Sequence, residues 1–75
     1  MTYEETILAV VKLQYETAQS KRKEMDIHIL PLFTRVDIRD KVEKSVRTII
    51  IERTSNFTDL LGNIIYELNN YRNGH

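Results

Sequence analysis

The chain has 75 residues, of which 41% are hydrophobic, and its eleven Lys and Arg residues balance eleven Asp and Glu residues. A formal net charge of zero provides no long-range field to attract a polyanion, which argues against a dedicated nucleic-acid binder. The chain has no cysteine, so neither a disulfide nor a thiolate metal site can support its small core. We therefore expect a single helical domain, 1–75, of marginal stability, which oligomerisation would stabilise.

The first residues of the chain do not have the pattern of a secretory signal. The segment Met1–Glu5 is acidic where such a signal is basic. No apolar run approaches the roughly 20 residues that a membrane span requires. We expect a cytoplasmic protein with no membrane partner.

A first helix is predicted from Thr2 to about Glu24. Glu4 and Glu5 would lie at the positive end of its dipole, and the basic residues 21–23 at the negative end. Gln14 falls within the apolar stripe, where it is either partly exposed at a widening between helices, bonded to a loop backbone, or part of a polar layer between helices. Intervals of three, four and seven, typical of one helical face, separate the apolar residues Tyr3, Ile7, Val10, Val11 and Ala18.

Residues 25–36 interrupt the helical pattern. Pro31 disfavours helical backbone angles at Leu30, which indicates a connection. In the alternative, an α+β fold, Ile27–Leu30 is a short strand that pairs with Arg35–Ile38 in a hairpin near 27–38. We favour a connection whose large apolar side chains cover one end of the core, namely Leu30, Leu32 and Phe33.

A second helix is predicted from Asp37 to Arg53. Asp37 would cap it, Asp40 would lie in its first turn, and Arg53 would lie at its negative end. The β-branched residues of this segment would also suit a strand. We favour a helix because the apolar residues fit a period of 3.6 better than a period of two: Ile38, Val42, Val46, Ile49 and Ile50.

The third helix, Phe57 to Tyr71, follows the cap candidates Ser55 and Asn56 and carries a continuous apolar stripe. Asn73-Gly74 would end it. Three helices predict an all-α fold, a compact three-helix bundle. The centre of the expected core contains Ile7, Val11, Val46, Ile49, Leu61, Ile64 and Leu68.

No residue pattern indicates catalysis or ligand binding. The serines have no adjacent base, and no glycine-rich turn opens a helix after a strand. Asp26 and His28 could form at most half of a metal site, and the other histidine is His75. We expect no enzymatic activity, no cofactor and no metal.

These exclusions favour a non-enzymatic protein–protein interaction module that forms a homodimer by helix-face docking and could also regulate a larger partner. Ile51 would project away from the apolar stripe of the second helix, and Tyr66 away from that of the third. Exposed apolar anchors beside charges are typical of interfaces. The predicted partner-binding residues are Ile51, Tyr66, Lys44 and Arg47.

The alternative function is that of a nucleic-acid-associated regulator. A local basic patch would form if the end of the first helix lay beside the start of the second. Interspersed acidic residues such as Glu24 and Asp40 argue against it. The residues of this predicted patch are Lys21, Arg22, Lys23 and Arg39.

Overall fold

The computed structural model describes residues 1–69 and shows an α+β fold with two helices and a three-stranded antiparallel sheet. The predicted all-α three-helix bundle is therefore wrong, whereas the alternative with a hairpin near 27–38 fits. The elements are, in order, α1 (Tyr3–Thr17), β1 (Lys23–Ile29), β2 (Phe33–Asp40), β3 (Ser45–Glu52) and α2 (Phe57–Asn69).

Helix α1 begins at a capping box. The backbone N–H of Glu5 donates to Thr2 Oγ1 at 3.1 Å, and the Thr2 N–H donates to Glu5 Oε1 at 2.8 Å. Hydrogen bonding of the Glu5 carboxylate to the Thr2 backbone N–H, and to a lesser extent to the Thr2 side chain, lowers the pKa of Glu5 below its usual value. The helix ends at Thr17, well before the predicted Glu24, because Ser20 Oγ accepts from the N–H groups of Arg22 and Lys23 and turns the chain into β1.

Strands β1 and β2 form a tight hairpin. The N–H of Leu30 donates to the carbonyl of Phe33 at 2.9 Å, which leaves Pro31 and Leu32 at the tip. Leu30 is 42% exposed and Leu32 83% exposed. The prediction that these leucines cover the core is therefore wrong, because Leu32 lies in the two-residue loop and Leu30 just before it, beyond the ends of the paired strands.

The segment predicted as the second helix, Asp37 to Arg53, contains the end of β2, a turn and all of β3. The side chain of Asp40 stabilises this turn. Its Oδ1 accepts from the N–H groups of Val42 and Glu43 at 2.9 and 3.0 Å, so the carboxylate caps a turn instead of a helix. Lys44 completes the reversal in the left-handed region, with φ of 58°.

Helix α2 begins at Phe57 as predicted, and the side chain of Asn56 accepts from the N–H of Asp59 at 3.2 Å. The predicted end at Tyr71 and the closing Asn73-Gly74 lie outside the described residues. None of the helices within residues 1–69 is long and apolar enough to cross a membrane.

Both helices pack on one face of the sheet, which we call the inner face. Of the core residues predicted from the sequence, Ile64 and Leu68 are buried, while Val46 is 57% exposed. Ile51, predicted to project from the surface, is completely buried. The buried apolar core consists of Val10, Met25, Val36, Ile38, Ile51, Ile64 and Leu68.

Candidate protein interaction surface

The opposite side of the sheet, the outer face, is not covered by any helix or strand of residues 1–69. The strand registers place side chains on it in cross-strand rows, for example Glu24 beside Arg39 and Arg39 beside Val46. Its two halves differ in chemistry. The β1 and β2 side is charged, with Glu24, Asp26, His28, Arg35, Asp37 and Arg39, whereas the β3 side carries Val46, Thr48 and Ile50.

The charged half of the outer face is internally paired. Arg39 lies 3.0 Å from Glu24 and 3.3 Å from Asp26. Asp37 Oδ2 lies 3.4 Å from the Nε of Arg35 and 3.6 Å from the Nε2 of His28. Pairs this exposed contribute little to stability. These paired charges nevertheless keep the β1 and β2 half of the outer face polar, which suits its exposure to solvent.

The β3 half of the outer face presents apolar side chains instead of ion pairs. Val46 is 57% exposed and Ile50 is 39% exposed. Val42, in the turn that leads into β3, is 66% exposed. Thr48 lies between the two strand residues and donates from its hydroxyl to Asp37 Oδ1 at 2.8 Å. This edge of the sheet therefore exposes a short stripe of β-branched side chains to solvent.

The backbone of β3 also has an unpaired side. Residues opposite each other in an antiparallel ladder alternate between pairs that exchange backbone bonds and pairs that do not. The bonds from Lys41 N–H to the Arg22 carbonyl and from Leu30 N–H to the Phe33 carbonyl fix this alternation for β1 and β2.

Carried through β2 to β3, the alternation directs the backbone groups of Arg47, Ile49 and Ile51 towards β2. Those of Val46, Thr48, Ile50 and Glu52 point away from the sheet. Within residues 1–69 no strand pairs with this side, which we call the β3 edge. Within residues 1–69 the outward N–H and C=O groups of Val46, Thr48 and Ile50 are therefore free beside exposed β-branched side chains, whereas the N–H and C=O of Glu52 are bonded to Ser55.

The β1 edge is different because α1 covers part of it. Gln14 Nε2 donates to the carbonyl of Met25 at 3.0 Å, and the same alternation places this carbonyl on the outward side of β1. Of the interpretations of Gln14, the bond to backbone agrees with this contact, but the acceptor lies in a strand and not in a loop. The side chain occupies a backbone acceptor that another strand would need.

Helix α2 flanks β3 on the inner face. Arg47 Nε lies 3.3 Å from Glu67 Oε1, and Tyr66 is 60% exposed beside them. A groove of about 300 Å³ runs between the helix and the strand, lined by Arg47, Ile49, Asn63, Tyr66 and Glu67. The β3 edge thus has an apolar stripe on one side and this groove on the other.

The structure separates the four predicted partner-binding residues. Ile51 is 0% exposed, so it cannot contact a partner while the chain is folded. Tyr66 and Arg47 line the same groove, and Lys44 is exposed where the turn meets β3. Their role in binding stays a prediction. Sequence reasoning missed Val46, Thr48 and Ile50, although a period of two through β3 would have placed them together on the side opposite Ile51.

The four residues of the predicted basic patch do not form one surface. Lys23 is buried and its Nζ lies 3.3 Å from Asp40 Oδ2, while Arg22 pairs with the same carboxylate at 3.1 Å. Arg39 lies on the outer face among acidic residues, and Lys21 is exposed. The expectation failed because Arg22 and Lys23 are paired with Asp40, and Arg39 is paired with Glu24 and Asp26 on the outer face.

Asp40 is the focus of a separate, structural ion cluster. Its pKa is held well below the usual range, chiefly by the N–H of Glu43, then by Arg22, the N–H of Val42 and Lys23, against the opposing effect of burial. His28 faces Asp37 and not Asp26, and residues 1–69 contain no group of three potential metal ligands. The cluster fixes the turn and the adjoining strand ends.

Comparisons of the chain with protein-family models, with curated proteins and with solved structures gave no significant match.

Proposed function

We propose that the chain is a small, non-enzymatic protein–protein interaction module that self-associates through the β3 edge. The observation that carries this proposal is the row of outward backbone groups at Val46, Thr48 and Ile50, set beside their exposed side chains. Free strand edges of this length and composition pair readily with other strands unless charges, bulges or a covering element block them.

Association through an edge strand replaces the docking of helix faces predicted from the sequence. Helix-face docking depended on Ile51 as an exposed anchor, and Ile51 belongs to the core. In strand addition, backbone hydrogen bonds supply affinity and alternate side chains supply specificity. The exposed side chains of β3 have this alternation. We place the association in the cytoplasm, a reducing setting in which a chain without cysteine needs no disulfide.

Thermal unfolding at several protein concentrations tests the proposal. Self-association predicts a melting temperature that rises with concentration, because the associated form is linked to the folded state. Replacing both Val46 and Ile50 with Lys should remove this dependence, since charges on an edge strand block pairing. Leu8→Lys is the matched control, because Leu8 is 70% exposed on α1. Concentration-independent melting of the unmodified chain would refute self-association.

A further inference from the structure

We propose that two copies pair β3 with β3 in antiparallel orientation, about a two-fold axis at Thr48, so that Val46 of each copy lies opposite Ile50 of the other. The two sheets then form one continuous sheet. This inference rests on the proposed self-association and specifies its partner, a second copy of the chain, and its register.

The backbone restricts the registers that are available. Only residues whose N–H and C=O groups point outward can exchange bonds with the second copy, so Val46, Thr48 and Ile50 must lie opposite members of the same set. Side chains of such a pair lie on the same face of the sheet. The exposed stripes of the two copies therefore meet on the outer face.

Side-chain chemistry then distinguishes the register centred on Thr48 from its neighbours. The Thr48-centred register places Val46 of each copy opposite Ile50 of the other, and Thr48 opposite Thr48. These are favourable β-branched and hydroxyl pairs. This register also brings Lys44, in the turn just before β3 of each copy, near Glu52 at the end of β3 of the other. Both residues are exposed, so the two ends of the paired strands carry complementary charges.

The two nearest registers lose these matches. A shift in one direction places Arg47 directly opposite Arg47 of the second copy, and like charges in that position are destabilising. A shift in the other direction places Val46 opposite Glu52 and leaves Lys44 without its acidic partner. The charges of the strand thus select the Thr48-centred register.

Two residues of β3 are charged, Glu52 at its end and Arg47 between the exposed residues Val46 and Thr48, where a charge could block the edge. The Arg47 guanidinium is directed to α2, where Nε lies 3.3 Å from Glu67 Oε1. Because this contact lies on the inner face, it leaves the outward backbone groups of Val46 and Thr48 accessible.

Single-cysteine variants test the register, because the chain has no cysteine of its own and any disulfide must join two copies. Directly opposed bonded residues have Cα atoms about 5.5 Å apart, within the range that a disulfide spans. Thr48→Cys should therefore cross-link to itself under oxidised glutathione. Val46→Cys should not, since its two copies lie roughly 14 Å apart along the strands. A mixture of Val46→Cys and Ile50→Cys should cross-link.

Arg35→Cys, exposed on the neighbouring strand, measures disulfides formed by random collision. Light scattering of the same variants under reducing conditions reports whether they associate. Cross-linking of Thr48→Cys well above the Arg35→Cys level, with none for Val46→Cys alone, supports the register. A reduced dimer in which Val46→Cys cross-links to itself, or Thr48→Cys does not, overturns the register but leaves self-association standing. A strict monomer overturns both.

Discussion

Lys23 Nζ lies 3.3 Å from Asp40 Oδ2, and the two side chains are only 7% and 4% exposed. They are cross-strand partners at the base of the β1–β2 hairpin. Arg22 reaches the same carboxylate at 3.1 Å, and the other carboxylate oxygen holds the turn before β3. The Asp40 side chain therefore joins the start of β1 to the turn that leads into the strand that we propose as the interface.

Replacing Asp40 with Asn should destabilise the fold at neutral pH, because the buried Lys23 ammonium would lose its counter-charge. The pKa of Asp40 is lower in the folded protein than its ordinary value of 3.8. The stability that the carboxylate supplies is therefore present above pH 3.8 and is lost as the pH falls below it towards the folded-state pKa.

Urea unfolding at equal protein concentrations measures this effect. The difference in unfolding free energy between the unmodified chain and Asp40→Asn should be large near neutral pH and should shrink below pH 3.8. Glu16→Gln, at an exposed position on α1, is the control for loss of a negative charge. A difference that stays constant across this pH range would contradict the role assigned to Asp40.

Ile51→Asp should unfold the chain, whereas Ile50→Asp should keep the fold. Ile51 is 0% exposed and Ile50 is 39% exposed on the opposite face of β3. Truncating a buried Ile to Ala costs about 2–5 kcal/mol, and an unpaired buried carboxylate adds to that penalty. This approaches the roughly 5–15 kcal/mol of a whole domain. Far-UV circular dichroism compares the two variants; a folded Ile51→Asp would contradict the strand assignment.

The sequence was sufficient to predict the two terminal helices but not the sheet between them. The stripe of α2, including Ile64 and Leu68, has a clear helical period, and its start at Phe57 is confirmed. Ile49, Ile50 and Ile51 form an unbroken apolar run that fits either period when the pairing strand is unknown. The tertiary pairing of Val36 with Ile49 decides the conformation, and local propensity does not report it.

The same ambiguity accounts for the errors in the predicted site. In a helix, Ile51 and Ile49 point to different sides, whereas in β3 both face the core side of the sheet. Asp40 added to the error because an acidic residue suits both a first helical turn and a side-chain-capped turn. The unpaired edge itself depends on strand order, which no local pattern of this sequence specifies.

The central claim, self-association through the outward backbone groups of β3, is tested most directly by the solution mass of Thr48→Pro. The N–H of Thr48 points away from β2, so proline there removes only an outward donor, as edge strands tolerate. Ile49→Pro is the matched control, because the Ile49 N–H points towards Val36 and its loss should unfold the sheet.

Sedimentation equilibrium with circular dichroism gives the mass and the fold together. We predict twice the 8.9 kDa chain mass for the unmodified protein and a folded monomer for Thr48→Pro. A folded Thr48→Pro that keeps the mass of the dimer, or an unmodified chain that is monomeric at high concentration, would contradict the claim.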